Sequence, residues 1–458
     1  MISDAKTAFL EKMGEVLDLQ AAGALLAWDQ EVYMPPKGAE ARGKQLATLA
    51  ALAHRLFVSD EMGALLGALE NEDANDALLR ETRHDFDQAR KLPESFVARF
   101  AEAQSRAYHI WVKARETSDF SLFQPALETM VALNREKADL LGYAASPYDA
   151  LLDEYERGMT AGVLSPLFGD LAAKLSVLVA ALGDKAHPEI PWLDREWDVE
   201  AQWRLTLRVV EDLGFDLEAG RQDRSVHPFT TNFDLHDVRI TTRLNPRDPF
   251  SALMGSIHEC GHALYEQGFL ESDRRTLLAQ APSLGIHESQ SRLWENVVGR
   301  SEAFWNYCAP LFKRHFDGMD AIAPEAFYHA VNRVAPSLIR VEADECTYNL
   351  HIVLRFELER ALIEGTLAVS DVPEAWNEKM RAYLGVQVPD DAHGCLQDIH
   401  WAHGCFGYFP TYALGNLVSV QLAEAAERAL PGLWDDIRAG RFGALLGWLR
   451  ENVHRHGR

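Results

Sequence analysis

From residue 4 to about residue 220, apolar side chains recur three and four residues apart, as in Phe9, Met13, Val16 and Leu17. That spacing lines one side of a helix and predicts a series of amphipathic helices. Proline and glycine interrupt the pattern at Met34-Pro35-Pro36-Lys37-Gly38, at Leu92-Pro93, from Gly142 to Pro147 and from His187 to Pro191, which puts turns there. None of these breaks has the composition of a flexible linker, and no low-complexity tract or solenoid repeat accompanies them. One stretch departs from the helical period. Between Phe229 and Leu244, Val238, Ile240 and Leu244 alternate with Arg239, Thr241 and Arg243, predicting a strand in a small β element at about 227–245. Asp248-Pro249 then supplies an N-cap and a first-turn proline for a helix that stops near Gly268. Helices are predicted again beyond Pro282 to the end of the chain. The fold class is mainly α with a minor β element.

Composition narrows the possibilities. With 458 residues, 47 % of them hydrophobic, the chain can bury a large core as one domain or two lobes. Lys+Arg 45 against Asp+Glu 69 gives a formal net charge of -24, which repels phosphate backbones and anionic membrane surfaces, so nucleic acid and membrane are not expected partners. The opening MISDAKTAFLEKMGEVLDLQ lacks the basic flank, apolar run and small-residue cleavage site of a signal peptide. Apolar runs such as Leu175 to Leu182 are far shorter than the roughly 20 residues that span a bilayer, so no transmembrane segment is expected. Five cysteines, odd in number and without CxxC, fit reduced thiols in a reducing compartment.

The helix after the strand carries Ile257-His258-Glu259-Cys260-Gly261-His262, an HExxH string. Histidines four apart lie on one face about 6 Å apart along the axis, so both imidazoles can converge on one ion. Glu259 sits next to that face, within reach of a water held there. The string arises by accident in roughly 5 % of chains of this composition, so its context has to decide. A catalytic site needs a third protein ligand and an open position. Glu266 shares the face of His258 but lies roughly 12 Å away along the axis, too far to share an ion. The second helix, Ser283-Leu284-Gly285-Ile286-His287-Glu288-Ser289-Gln290, followed by Ser291 to Glu295, could present either His287 or Glu288 if it runs antiparallel to the first. Glu288 is the preferred ligand, because a carboxylate completes a His-His-Glu set that leaves the ion electrophilic. His287 is then a supporting or core histidine, and Glu295 either orients a ligand or lies on a solvated face.

These residues resemble the carboxypeptidase Taq family of metallocarboxypeptidases. Besides His258-Glu259-Cys260-Gly261-His262 and His287-Glu288-Ser289-Gln290, the chain has Asp237-Val238-Arg239-Ile240-Thr241, similar to the family's DxRxT. It also has Ile339-Arg340-Val341-Glu342-Ala343-Asp344, similar to IRxxAD, and Gly394-Cys395-Leu396-Gln397-Asp398-Ile399-His400-Trp401, similar to GxxQDxHW. The segment from Trp28-Asp29 to Met34-Pro35 also fits. The resemblance implies a single catalytic domain over 1–458, two-lobed around a deep groove, with a neurolysin- and angiotensin-converting-enzyme-like fold. It implies removal of single residues from peptide C-termini, in the cytoplasm, by a homodimer that uses Zn2+ or Co2+.

On that reading Glu259 is the general base. An oxyanion donor is expected from Gly407-Tyr408-Phe409-Pro410-Thr411-Tyr412, with Tyr412 placed first and Tyr408 second, and His400 close upstream is counted with them. The terminal carboxylate calls for a guanidinium. Arg340 is the first choice, its alternative being an i,i+4 pair with Asp344 on a helix surface. Arg239 is the second: Asp237, Arg239 and Thr241 project from one strand face, as they would if that strand lined the groove and paired with extended substrate. The rivals are an endopeptidase or dipeptidase on the same scaffold and a non-catalytic helical interaction protein.

Overall fold

Helical periodicity becomes helix, and the proline and glycine breaks become turns. Helices Asp4–Val32 and Ala39–Phe57 flank the Pro35-Pro36 break, Ala77–Lys91 and Glu94–Thr117 flank Leu92-Pro93, and Phe120–Leu141 and Pro147–Leu152 flank the Gly142 break. The computed structural model describes residues 4–70, 76–183 and 190–458. Within the His187 to Pro191 break, 187–189 lie outside the described residues, as do the first three residues of the chain.

The β element differs from the expectation. It comprises three strands, β1 (Gly220–Arg224), β2 (Thr230–Asp234) and β3 (Asp237–Thr242), in the order β1-β3-β2, with β1 parallel and β2 antiparallel to β3. The single strand read between Phe229 and Leu244 is two strands joined at Leu235-His236. β1 was not anticipated, because Gly-Arg-Gln-Asp-Arg has none of the branched or aromatic residues that mark strands. Val238 and Ile240 pack with Leu253 and Ile257 of the following helix, and the Ser256 hydroxyl donates to Thr242 Oγ1 at 2.9 Å. The sheet is therefore a backing plate for the HExxH helix.

Helices do resume at Leu284, yet they do not run unbroken to the end. From Gly385 to Phe409 the chain makes successive turns, and Arg340–Glu342 is a 3-10 turn in an otherwise non-helical stretch before Glu345–Glu364. Proline, glycine and paired aspartates such as Asp390-Asp391 disfavour helix there.

Two large hydrophobic clusters organise the molecule. One gathers around Phe123, Phe168, Phe356 and Trp376; the other gathers around Trp294, Phe304, Trp305 and Phe312. Helix Pro410–Ala429 gives Ala413 and Leu414 to the first and Ala426 to the second, so it ties them together. The expectation of no membrane-length segment needs correction. Helix Ala161–Gly183 has 23 residues and a best-window mean hydropathy of 1.6, long and apolar enough by those measures to cross a bilayer. In this structure it lays Leu164, Phe168, Ala172 and Val179 on the first cluster and leaves Val163, Leu167, Val177 and Leu178 exposed.

Candidate metal centre

The HExxH helix is Pro249–Glu266. Its N-cap, Asp248, accepts from the N–H groups of Phe250 and Ser251, with Pro249 in the first turn, so the start read from sequence is the start observed. The partner helix, Leu284–Arg292, is capped by the Ser283 hydroxyl and continues as a π-helical turn, Leu293–Val298. The two run antiparallel: His258 meets Glu295, whereas His262 and Glu266 meet His287. They touch backbone to backbone at Gly261, where a Cβ would lie 2.6 Å from Ser291 Cα and 2.7 Å from the Gln290 carbonyl oxygen. On its other flank the partner helix meets Pro410–Ala429 at Gly415, where a Cβ would lie 2.5 Å from Glu288 Cγ. Glu288 is thus held between two seams that admit only glycine.

Those seams bring three donor atoms together. Glu288 Oε2 lies 3.3 Å from His262 Nε2 and 3.7 Å from His258 Nε2, and the donors of the three residues all fall within 4.8 Å of one another. A tetrahedral ion with bonds near 2.05 Å needs ligand atoms about 3.3 Å apart, so the set fits a zinc-sized cation. Of the two third-ligand options, Glu288 faces the histidines, and His287 turns its Nδ1 to His262 Nδ1 at 2.6 Å and its Nε2 to Glu266 Oε1 at 2.6 Å.

The electrostatics also favour a cation. Glu288 Oε1 accepts from Arg292 Nε at 2.6 Å, and Glu295 Oε2 accepts from Arg292 Nη1 at 3.1 Å and lies 2.8 Å from His258 Nδ1. Burial opposes ionisation of both carboxyls, yet Arg292 and His258 outweigh it, holding Glu288 well below the ordinary range and Glu295 at about 2. Burial likewise pulls His258 down, but Glu288 and Glu295 outweigh it and raise it to about 9. Two carboxylates held ionised around the donors favour positive charge at this spot. His262, lowered to about 3 chiefly by burial and next by His287, is a neutral imidazole, the form that binds metal. Arg292 escaped the sequence reading. Its only signal was its spacing of four from Glu288.

Glu259 is buried beside the donors, and burial raises its carboxyl. Thr230 Oγ1 at the start of β2 lies 2.7 Å from Glu259 Oε2 and 2.9 Å from its carbonyl oxygen. Thr230 too was missed, since nothing local to it advertises a partner 29 residues on. Tyr408 and Tyr412, with ring centroids 5.4 Å apart, are partly buried phenols raised first by desolvation; the nearby Glu288 charge adds to both. Tyr408 reaches about 12, so both remain protonated donors. His400 lies beside them, its Nε2 3.4 Å from the Tyr412 hydroxyl, and burial keeps it neutral at about 3.

The substrate-end residues need correction. Arg340 is not on a helix surface and does not pair with Asp344, which caps helix Glu345–Glu364. Its Nε and Nη2 donate to Asp398 Oδ1 at 3.1 and 2.9 Å, and its Nη1 donates to the Tyr348 hydroxyl at 2.9 Å. Arg355 binds the other Asp398 oxygen. The side-on fork of Arg340 is therefore already used. Arg239 is held bidentately by Asp237 and sits over the Trp28 and Phe233 rings, clamping the first helix to the sheet. Thr241 is fully buried, and its hydroxyl interacts with Ser225 and with the backbone of Phe229. β3 is also the central strand, bonded on both sides, so it cannot pair with a peptide. β2 is an edge strand of the sheet, and its Thr230 and Asn232 side chains reach Glu259 and Glu266 of the HExxH helix.

Comparison with known proteins points to one family. The family model described as carboxypeptidase Taq (M32) metallopeptidase matches residues 8–458. Thermostable carboxypeptidase 1 of Thermus thermophilus is 44 % identical over 98 % of this chain and 91 % of its own, and carboxypeptidase 1 of Bacillus subtilis is 38 % identical with the same coverage. The crystal structure of an M32 carboxypeptidase from Deinococcus radiodurans superposes with a TM-score of 0.97 at 40 % identity, covering 100 % of this chain and 93 % of that one.

Proposed function

The chain belongs to the carboxypeptidase Taq (M32) metallopeptidase family, and on that premise we propose that His258, His262 and Glu288 hold one divalent cation, zinc first and cobalt as the alternative. It is a metallocarboxypeptidase, a hydrolase that releases C-terminal residues from peptides. The observation that carries the site assignment is the convergence of those three donors beside the buried Glu259.

When bound, the ion supplies a Lewis acid that polarises a carbonyl oxygen and lowers the pKa of water. Glu259, oriented by Thr230, takes the proton of the attacking water and passes it to the leaving amine. Tyr412 and Tyr408 donate to the oxygen on which charge develops, their protons secured by burial. Arg340 and Arg355 face the single carboxylate of Asp398, which leaves one positive charge in excess beside Tyr412 and His400. That excess draws the terminal carboxylate of the substrate, which meets His400 and the Arg340 N–H groups that Asp398 and Tyr348 do not take. The rest of the peptide lies along the free edge of β2, toward a cavity of about 800 Å³ lined in part by Tyr155, Glu266 and His287. The enzyme works as a cytoplasmic homodimer, a reading that its free cysteines suit.

The test is metal analysis after dialysis, paired with mass spectrometry of a peptide digested with a free and with an amidated C-terminus. One metal per chain, a ladder of single-residue losses and resistance of the amide are expected. Internal cleavage of the amidated peptide would make the enzyme an endopeptidase.

A further inference from the structure

We infer that Glu266 and His287 are positioning residues that decide, through two imidazoles in series, which ring nitrogen of His262 is free to bind the metal. The inference rests on His262 being a ligand. Its argument is the direction in which each hydrogen bond has to run. The Glu266 carboxylate can only accept, so His287 Nε2, 2.6 Å from Glu266 Oε1, carries the hydrogen and donates. A second ring hydrogen on His287 would turn its Nδ1 into a donor, move the hydrogen of His262 to Nε2 and exclude the metal; in the metal-binding form His287 therefore has one N–H, and its Nδ1 is a lone pair. That lone pair faces His262 Nδ1 at 2.6 Å. Two lone pairs cannot face each other at that separation, so His262 Nδ1 carries the hydrogen. The lone pair of His262 is then on Nε2, the nitrogen 3.3 Å from Glu288 Oε2.

His258 reaches the same tautomer by a shorter route, with Glu295 directly on its Nδ1 at 2.8 Å. The two ligands thus have unequal support, a carboxylate for one and a carboxylate acting through an imidazole for the other. Glu266 lies a full turn past His262, too far along the helix to bind the ion, and still governs it. Its second oxygen accepts from the Asn232 side chain on β2, so the sheet fixes the orientation of the whole chain. Hydrogen-bond partners of metal-bound histidines commonly change metal affinity by about 10–100-fold.

Two substitutions separate this role from packing. His287→Asn places an amide oxygen near the former Nδ1 and keeps an acceptor for His262. His287→Gln reaches the Nε2 position, keeping the Glu266 contact and leaving His262 without an acceptor. Zn2+ affinity, measured by competition with a chelator, should fall at least about 10-fold in His287→Gln and stay within about 3-fold of wild type in His287→Asn. Spectra of the metal-free protein labelled with 15N-histidine should report Nδ1–H for His262 and Nε2–H for His287 in the wild type, and Glu266→Gln should disturb both. Equal affinity losses in the two His287 variants, which both delete a ring beside Tyr265, would reduce His287 to packing and overturn the inference. So would an Nε2–H tautomer of His262 in the wild type. A wild-type protein that takes up no zinc would instead remove the centre itself, and the inference with it.

Discussion

Gly415→Ala tests whether the helix seam, rather than the ligands alone, builds the centre. In the middle of a helix this exchange ordinarily stabilises by about 1 kcal/mol, because alanine loses less conformational freedom. Here the added Cβ would stand 2.5 Å from Glu288 Cγ, 2.7 Å from its Cβ and 3.1 Å from its carbonyl carbon. Comfortable carbon contacts begin at about 3.5 Å, so helices Pro410–Ala429 and Leu284–Arg292 would have to part by about 1 Å. Overpacking of that kind costs about 1–3 kcal/mol, more than the propensity gain. Metal–ligand distances tolerate only about 0.2 Å, so a displaced Glu288 carboxylate loses its place beside His258 and His262. The variant should show a lower thermal midpoint and Zn2+ affinity reduced at least about 10-fold in a chelator competition. Gly169→Ala is the control: it lies inside helix Ala161–Gly183 with nothing within 4 Å of the added Cβ, and its midpoint should hold or rise. If Gly415→Ala matches wild type in both midpoint and zinc affinity, the seam does not set the position of Glu288.

Glu259→Gln should keep metal content and folding while turnover drops at least about 10²-fold; near wild-type turnover in the metal-loaded variant would remove Glu259 from the mechanism. Arg340→Lys keeps the charge opposite Asp398 but not the planar donors, and kcat/KM for free-acid peptides should fall about 10-fold or more, with little change for the amidated peptide. An unchanged free-acid to amide ratio would confine Arg340 to structure. Glu359 accepts from Tyr148, Trp401 and the Gly407 N–H, and burial pushes it up from 4.5 to about 7 against those donors. Its folded value is raised, so its contribution is fully present below about pH 4.5 and is lost, by about 3 kcal/mol, as pH rises through 7. Glu359→Gln should cost about 1–3 kcal/mol at acid pH, where one N–H now faces an amide nitrogen, and should recover ground on wild type by pH 8. A gap in thermal midpoint that does not change between pH 5 and pH 8 would contradict this.

Local pattern carried much of the result. The period of the apolar residues, the proline and glycine breaks, the Asp248-Pro249 start and the His258-Glu259-His262 face depend on residues within a turn or two of each other, and the chain spells these out in order. The antiparallel second helix left both His287 and Glu288 open, and the preference for Glu288 came from ligand chemistry; in the structure Glu288 is the one that faces the two histidines. What tertiary structure alone decided are the pairings between distant segments. Arg340 finds Asp398, 58 residues on, and not its i,i+4 neighbour, because the backbone at 340 is not an α-helix. Arg239 turns to Asp237 and Trp28, and β3 proves to be central, because β1, a run of polar residues without strand character, takes its other edge. Gly261 and Gly415 look like ordinary helix residues until the three helices are stacked. Hydrophobic periodicity records which side of an element is buried; it carries no record of which element arrives there or how closely the backbones approach, and that closeness places Glu288 within reach of both histidines.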